Sequence, residues 1–329
     1  MDGIDMLLVL QEFREAGGAF LLEFLQKMTF LGELATVRAL LAIIYWCIWK
    51  ELGTYLLMGW SSMRLANGFL KVTVCEYRPW IQDARITPDA KAFSTSTGYS
   101  FPSGHSMNAA CVFGGTMLYK GVSWFLRIIC ALTFVAICFS RPYLGVHYVH
   151  DVVVGGICGL VVMFLTSLLM KWVDRHPNKD WLVVVCGLVL CVIIAVYATL
   201  KPYPVDYDAE GNILVEGAKM AKDTFKGCGW AAGILIGWLL ERRFVNFTTD
   251  VDGATRMNRA VVGLFFYYVL TLLVLEPLPE LLPAPIDTLV SSFLTMFYIT
   301  WFFPWVASKF EKNSQTVSTV KPARHFKQA

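Results

Sequence analysis

The sequence predicts an all-α integral membrane protein, and three observations carry that prediction. Of its 329 residues, 56% are hydrophobic and only 16% are charged, against about 25% charged in soluble domains. The apolar residues gather into runs near the length that crosses a bilayer core, about 20 residues at 1.5 Å of rise each. Eleven Trp and 23 Phe suit lipid interfaces and helix packing. The net charge of +3 is too small to point to nucleic acid.

Taken in order, residues 1–33 mix Leu and Phe with Glu, Arg and Lys, the pattern of an amphipathic segment lying at the interface. Their acidic start, MDGIDMLLVL, lacks the basic region of a signal peptide. Candidate spans follow near 34–49, 53–74, 104–119, 124–140, 151–170, 181–200, 227–241, 260–275 and 287–306. A polar loop fills 201–226, and EPLPELLPAP makes a Pro-rich turn at 276–285. The tail, 307–329, is basic and polar and is expected to be disordered. Most cysteines sit inside apolar runs, as Cys111, Cys130, Cys138, Cys158, Cys186 and Cys191 do, with neither paired nor metal-ligand spacing. They read as small buried apolar residues.

Loop charge predicts orientation. Lys50, Lys120, Arg127, Lys171, Arg175, Lys179, Arg242, Arg243, Arg256, Arg259 and the basic tail fall on one face. That face is expected to be cytoplasmic, in a multi-pass protein of the plasma membrane.

Three polar clusters fall on the other, extracytoplasmic face, each where a helix meets a loop. They are Lys71 with Arg78-Pro79, Pro102-Ser103-Gly104-His105, and Ser140-Arg141 with His147 and Asp151. Together they read as a phosphate site. Arginine offers paired N–H donors to phosphate oxygens and lysine a point charge, so Lys71, Arg78 and Arg141 supply three cations. Ser103 and Gly104 open a helix, whose free N–H groups favour an anion. His147 and Asp151 are four apart and share a helix face. A carboxylate there can hold one ring nitrogen and leave the other free to attack phosphorus. His105 can then protonate the departing oxygen. No carboxylate cluster is evident beside the site, so neither a metal nor another cofactor is expected.

These three clusters, K-x6-RP, PSGH and SR-x5-H-x3-D, resemble the signature of the type 2 phosphatidic acid phosphatase superfamily. The resemblance covers residues 71–151 by motif and about 34–200 by helix layout. It implies a six-helix phosphatase core at 34–200. His147 would be the nucleophile, Asp151 its partner and His105 the general acid, with Lys71, Arg78, Ser103, Gly104 and Arg141 as phosphate ligands. Beyond the core, 201–306 would hold the polar loop and three additional spans, a layout similar to that of sphingosine-1-phosphate phosphatases. The implied activity is metal-independent hydrolysis of a lipid phosphate, phosphatidate-like or sphingoid, through a phosphohistidine. An undecaprenyl-diphosphate phosphatase and a lipid phosphotransferase using the same intermediate are the alternatives. A transporter would not require the two histidines and the aspartate. The implied partners are the lipid phosphate and the membrane, and a homo-oligomer stays open.

Other polar residues receive plainer readings. Arg64, Asn67 and Lys71 form one helical stripe, and Arg64 reads as a structural charge paired with a carboxylate or with backbone carbonyls, as does Arg38. Asp223 and Lys226 read as a solvated loop, and His150 as structural.

Overall fold

The computed structural model describes residues 3–319, and its long helices follow the apolar runs. They are α1 (Gly3–Ala16), α2 (Gly18–Phe30), α3 (Leu34–Ile48), α4 (Lys50–Val74), α5 (104–118), α6 (Trp124–Tyr143), α7 (Val149–Arg175), α8 (Asp180–Leu200), α9 (Gly217–Leu240), α10 (Gly253–Leu270) and α11 (286–319). There is no strand among the described residues; Tyr207 and Ile213 make one isolated bridge in the 201–216 loop. The last helix runs through Thr319, into a tail expected to be disordered; residues 320–329 lie outside the described residues.

The nine expected spans correspond to α3–α11, but fewer are long and apolar enough to cross a membrane alone. Trp124–Tyr143, Val149–Arg175, Pro177–Leu200 and Ile286–Glu311 qualify, and α2 with α3, bent by 60° at their junction, reaches that length and apolarity only as a pair. The shortfall has a physical cause. The inner helices α4 and α9 carry charges, among them Arg64 and Lys71 on α4 and Lys222 and Lys226 on α9. Such charges are tolerated in a membrane when they face the bundle interior. The helices around the outside behave oppositely: Leu132 and Val135 on α6, Ile157 and Phe164 on α7 and Val192 and Ile193 on α8 all expose large apolar side chains, as a lipid-facing surface does.

The most extensive packing is between α9 and α11, followed by α9 with α4 and with α8. Small residues make it close. Gly229, Gly233 and Gly237 recur every four residues on α9, and a Cβ at Gly229 or Gly233 would collide with the carbonyl oxygen of Leu289 or Phe293. This small-xxx-small spacing lets membrane helices touch backbone to backbone. α9 joins the C-terminal helices to the core, and α10 and α11 also pack on α3, where Trp46 Nε1 donates to Ile299 O at 2.8 Å. Trp230 on α9 is buried against Trp60 on α4, with ring centroids 5.2 Å apart.

The N-terminal segment also meets the core. Leu25 and Thr29 on α2 are buried, and α2 packs along α6. Part of the loop charge likewise serves packing: Lys50 pairs with Glu241 at 2.8 Å, and buried Arg259 pairs with Glu311 at 2.7 Å.

Candidate active site

Local folding fixes His147 and Asp151. The chain leaves α6, turns through a left-handed Gly145 (φ 73°) and enters α7 with Tyr148 as its cap. Asp151, at the third helical position, accepts the backbone N–H of Tyr148 at 3.0 Å in a capping box. The same carboxylate oxygen lies 3.1 Å from Nδ1 of His147 and accepts the hydroxyl of Ser100 at 2.5 Å. One carboxylate thus starts the helix and orients the imidazole. Asp151 is fully buried and His147 is 2% exposed.

The other ring nitrogen, Nε2, faces Arg78, whose Nη1 is 2.8 Å away. A guanidinium only donates, so Nε2 must be the acceptor and Nδ1 carries the proton toward Asp151. That leaves a lone pair on the nitrogen facing the cavity. His147 sits in the connection between α6 and α7. Burial, and then Arg78, Arg141, Lys71 and His105, hold its pKa well below the ordinary imidazole value of 6.5. Both effects favour the neutral imidazole over the protonated one.

Backbone carbonyls hold two of the cations, and side-chain hydroxyls the third. Arg78 donates to Val146 O at 2.7 Å, Gly98 O at 3.1 Å and Thr97 O at 3.2 Å, and burial draws its pKa down to about 10 against the pull of Asp151. Lys71 donates to Tyr99 O at 2.6 Å. Arg141, fully buried, reaches Thr29 Oγ1 at 2.6 Å and Ser96 Oγ at 2.8 Å, while its Nε is buried without a partner.

All of this surrounds one cavity of about 370 Å³, lined in part by Lys71, Arg78, Gly104, His105, Arg141 and His147. Nε2 of His105 is buried there with no hydrogen-bond partner. Ser103 differs. It caps α5, is fully buried, and its hydroxyl receives the Ser106 hydroxyl at 3.0 Å, so its side chain is engaged within the helix start and does not line the cavity. From that turn, Gly104 and His105 face the space.

Other expectations change. His150 stacks on Tyr148 and meets Glu76 at 2.9 Å. Glu76, His150 and Asp151 bring ligand atoms within 4.8 Å of one another, a group able to hold a cation, although no carboxylate cluster was expected beside the site. Burial first, then Asp151, raises the Glu76 pKa, against the lowering effect of His150. Among the described residues Arg64 and Arg38 make no salt bridge, and the Nε of each is buried without a hydrogen bond. Lys226 and Asp223 both belong to α9 and not to a loop; Lys226 lines the cavity, while Asp223 is exposed.

Several contributors were not singled out from sequence. Ser100 bridges toward Asp151 and His147, and Thr29 and Ser96 hold Arg141. Isolated Ser and Thr carry no spacing signal. Ser100 lies two residues before PSGH, which is the one hint available.

Residues 51–176 match the PAP2 superfamily. Residues 225–315 match the transmembrane extension of PAP2 superfamily phosphatases. Phosphatidylglycerophosphatase B of Bacillus subtilis is 34% identical over 171 residues, which are 48% of this chain and 79% of that protein. The chain belongs to the PAP2 superfamily. It is a PAP2-type integral membrane phosphatase, a phosphoric ester hydrolase. Glucose-6-phosphatase 2 of Mus musculus is 24% identical over 189 residues, and this PAP2 chain covers 53% of its length, about half. A crystal structure of a transmembrane PAP2-type phosphatidylglycerolphosphate phosphatase from Bacillus subtilis aligns over 51% of this chain and 87% of that one, at 28% identity and a TM-score of 0.41.

Proposed function

We propose that this PAP2 phosphatase hydrolyses the monoester phosphate of a lipid through a phosphohistidine on His147. The observation that carries the reading is the His147 ring itself: buried, bonded to Asp151 through Nδ1, with Nε2 on a cavity rimmed by three cations. Nε2 attacks phosphorus and the P–O bond to the lipid alcohol breaks. The departing oxygen takes a proton from His105. Water, deprotonated by His105, then attacks the phosphohistidine and releases inorganic phosphate, restoring both histidines. Asp151 stabilises the positive ring while it carries the phosphoryl group. Arg78, Arg141 and Lys71 meet the charge spread over the equatorial oxygens, the largest contribution in such transfers.

The substrate class rests on the surroundings. The site lies at the helix ends of a bundle whose outer face is apolar, so a headgroup can enter while its tails stay among lipids. The Bacillus subtilis relative, named for phosphatidylglycerophosphate, favours a glycerophospholipid monoester over a sphingoid phosphate. The loop charge favours a site on the extracytoplasmic face of the plasma membrane.

The test is rapid-quench turnover of phosphatidate and phosphatidylglycerophosphate in detergent. The wild-type protein should yield an acid-labile, base-stable phosphoprotein, and His147→Ala should abolish it with phosphate release. Equal release by the folded variant would refute the mechanism.

A further inference from the structure

The cavity continues past the catalytic groups along α4, and its inner end holds a second set of cations. Arg38 on α3, Arg64 on α4 and Lys226 on α9 line it together. Each lies over the Trp230 ring with its charge 5.3 Å from the centroid. An indole face attracts a cation, but one indole shared by three does not balance their charge. Among the described residues none of the three forms a salt bridge. Arg38 interacts with the Tyr267 hydroxyl, and the exposed Asp223 acts on Arg64 and Lys226 only at longer range. The Nε atoms of Arg38 and Arg64 are buried without hydrogen bonds. Buried donors of this kind are normally satisfied, and mutually repelling cations around a cavity call for an anion.

Spacing identifies that anion. Arg64 and Lys71 lie on one stripe of α4, seven residues apart, with Asn67 between them on the cavity wall. Seven residues are about 10 Å of helix. The two phosphorus atoms of a diphosphate share a single oxygen and sit too close together to use both sets. A phosphodiester separated from the monoester by a glycerol unit spans farther, and its diester lies on the tail side, toward the middle of the bundle, where Arg64 is.

We propose that Arg38, Arg64 and Lys226, gathered around Trp230, form a second anion subsite for the phosphodiester of a lipid whose monoester phosphate sits at His147, one glycerol unit away. The subsite rests on the function proposed above, and it deepens it. It is built largely outside the 51–176 core: Lys226 and Trp230 come from the C-terminal extension and Arg38 from α3. The extension thereby acquires a role in choosing the lipid.

The test compares kcat/KM for phosphatidylglycerophosphate, phosphatidate and a prenyl diphosphate, in wild type, Arg64→Gln and Lys226→Gln. The ratio of phosphatidylglycerophosphate to phosphatidate should fall about tenfold in each variant, through KM, as the loss of a charged hydrogen bond implies. Arg64→Lys should recover part of it. Titration calorimetry on the His147→Ala protein, with and without Arg64→Gln, supplies an arm without turnover. The deacylated headgroup, glycerophosphoglycerophosphate, should bind at least tenfold tighter than glycerol phosphate. Equal binding of the two, equal losses on both glycerolipids, or a loss confined to the prenyl diphosphate would overturn the subsite. If the headgroup binds tightly and depends on Arg64 while neither glycerolipid is turned over, the catalytic reading fails and the subsite stands.

Discussion

Arg78 Nη1 lies 2.8 Å from His147 Nε2, so the cation suited to the phosphate is bonded to the nitrogen suited to attack it. The contact fixes the imidazole tautomer from one side as Asp151 does from the other. On the proposed mechanism, an incoming phosphoryl group would take over the Arg78 donor and so release the lone pair toward phosphorus. Arg78→Lys keeps the charge and loses the paired donors. Phosphate release should fall about 10²-fold in kcat/KM, in the range seen when a donor to a developing oxyanion is removed. A change below about threefold would separate Arg78 from the reaction.

The pH dependence follows from the same neighbourhood. His147 is held neutral well below pH 6.5, with burial as the main cause and Arg78 the first of the charges. The nucleophile must be unprotonated, so the acid limb of kcat/KM that it sets should lie below pH 6.5. Removing a cation that depresses this pKa must raise it. In Arg78→Gln the acid limb should therefore move to higher pH, toward the ordinary imidazole range. A limb that stays put, measured on the residual activity, would mean that another group controls it.

Ser100 is the orienting residue that the motifs do not include. It donates to Asp151 at 2.5 Å and its oxygen lies 3.3 Å from His147 Nδ1. Hydrogen bonds to charged groups contribute about 1.5–3 kcal/mol. Ser100→Ala should lower kcat about 10- to 100-fold with little change in KM, since Ser100 does not line the cavity. Ser100→Thr, which keeps the hydroxyl, should restore much of the rate. A rise in KM at constant kcat would assign it to substrate binding.

What the sequence disclosed and withheld follows from the kind of signal each residue carries. Lys71, Arg78, His105, Arg141 and His147 were legible because charged and imidazole groups at helix ends of a greasy chain need a reason, and their spacings are fixed. They converge on one cavity. Arg38, Arg64 and Lys226 were visible as misfits, but their meeting over Trp230 depends on how α3, α4 and α9 pack, which no local pattern encodes. Ser103 was legible as a helix start, and its hydroxyl is turned to that purpose. Fewer helices pass a test of length and apolarity than the nine expected spans, for a related reason. Length and apolarity identify lipid-facing helices such as α7 and α8, whereas α4 and α9 are polar because they line the site.

Glu76, His150 and Asp151 pose the question of a metal directly, because their ligand atoms lie within 4.8 Å. Asp151 takes the Tyr148 N–H and the Ser100 hydroxyl on Oδ2, with His147 beside it, while Oδ1, 3.5 Å from His150 Nε2, makes no hydrogen bond. Neither Glu76 nor His150 lines the cavity. Activity should therefore persist in excess EDTA, and Glu76→Gln should keep kcat/KM within about threefold. Strict loss in EDTA that Mg²⁺ or Zn²⁺ restores, together with inactivity of Glu76→Gln, would make this group a metal centre and replace the metal-free scheme.

The attachment of the extension can be tested at Gly233. Two effects oppose each other there. Alanine is favoured over glycine inside a helix by about 1 kcal/mol. A Cβ at this position, however, would run into the carbonyl oxygen of Phe293 on α11 and lie 3.0 Å from both Met296 Cβ and Phe297 N. Backbone yields less readily than a side chain, and overpacking costs about 1–3 kcal/mol. The collision should win, and Gly233→Ala should lower Tm in detergent. Gly253, at the start of α10, is the control: a Cβ there meets nothing within 4 Å, so Gly253→Ala should leave Tm unchanged or raise it slightly. If α9 also positions Lys226 and Trp230, Gly233→Ala should weaken discrimination between phosphatidylglycerophosphate and phosphatidate before it abolishes turnover. A variant as stable and as selective as wild type would mean that α9 and α11 do not meet as closely as the glycine spacing requires.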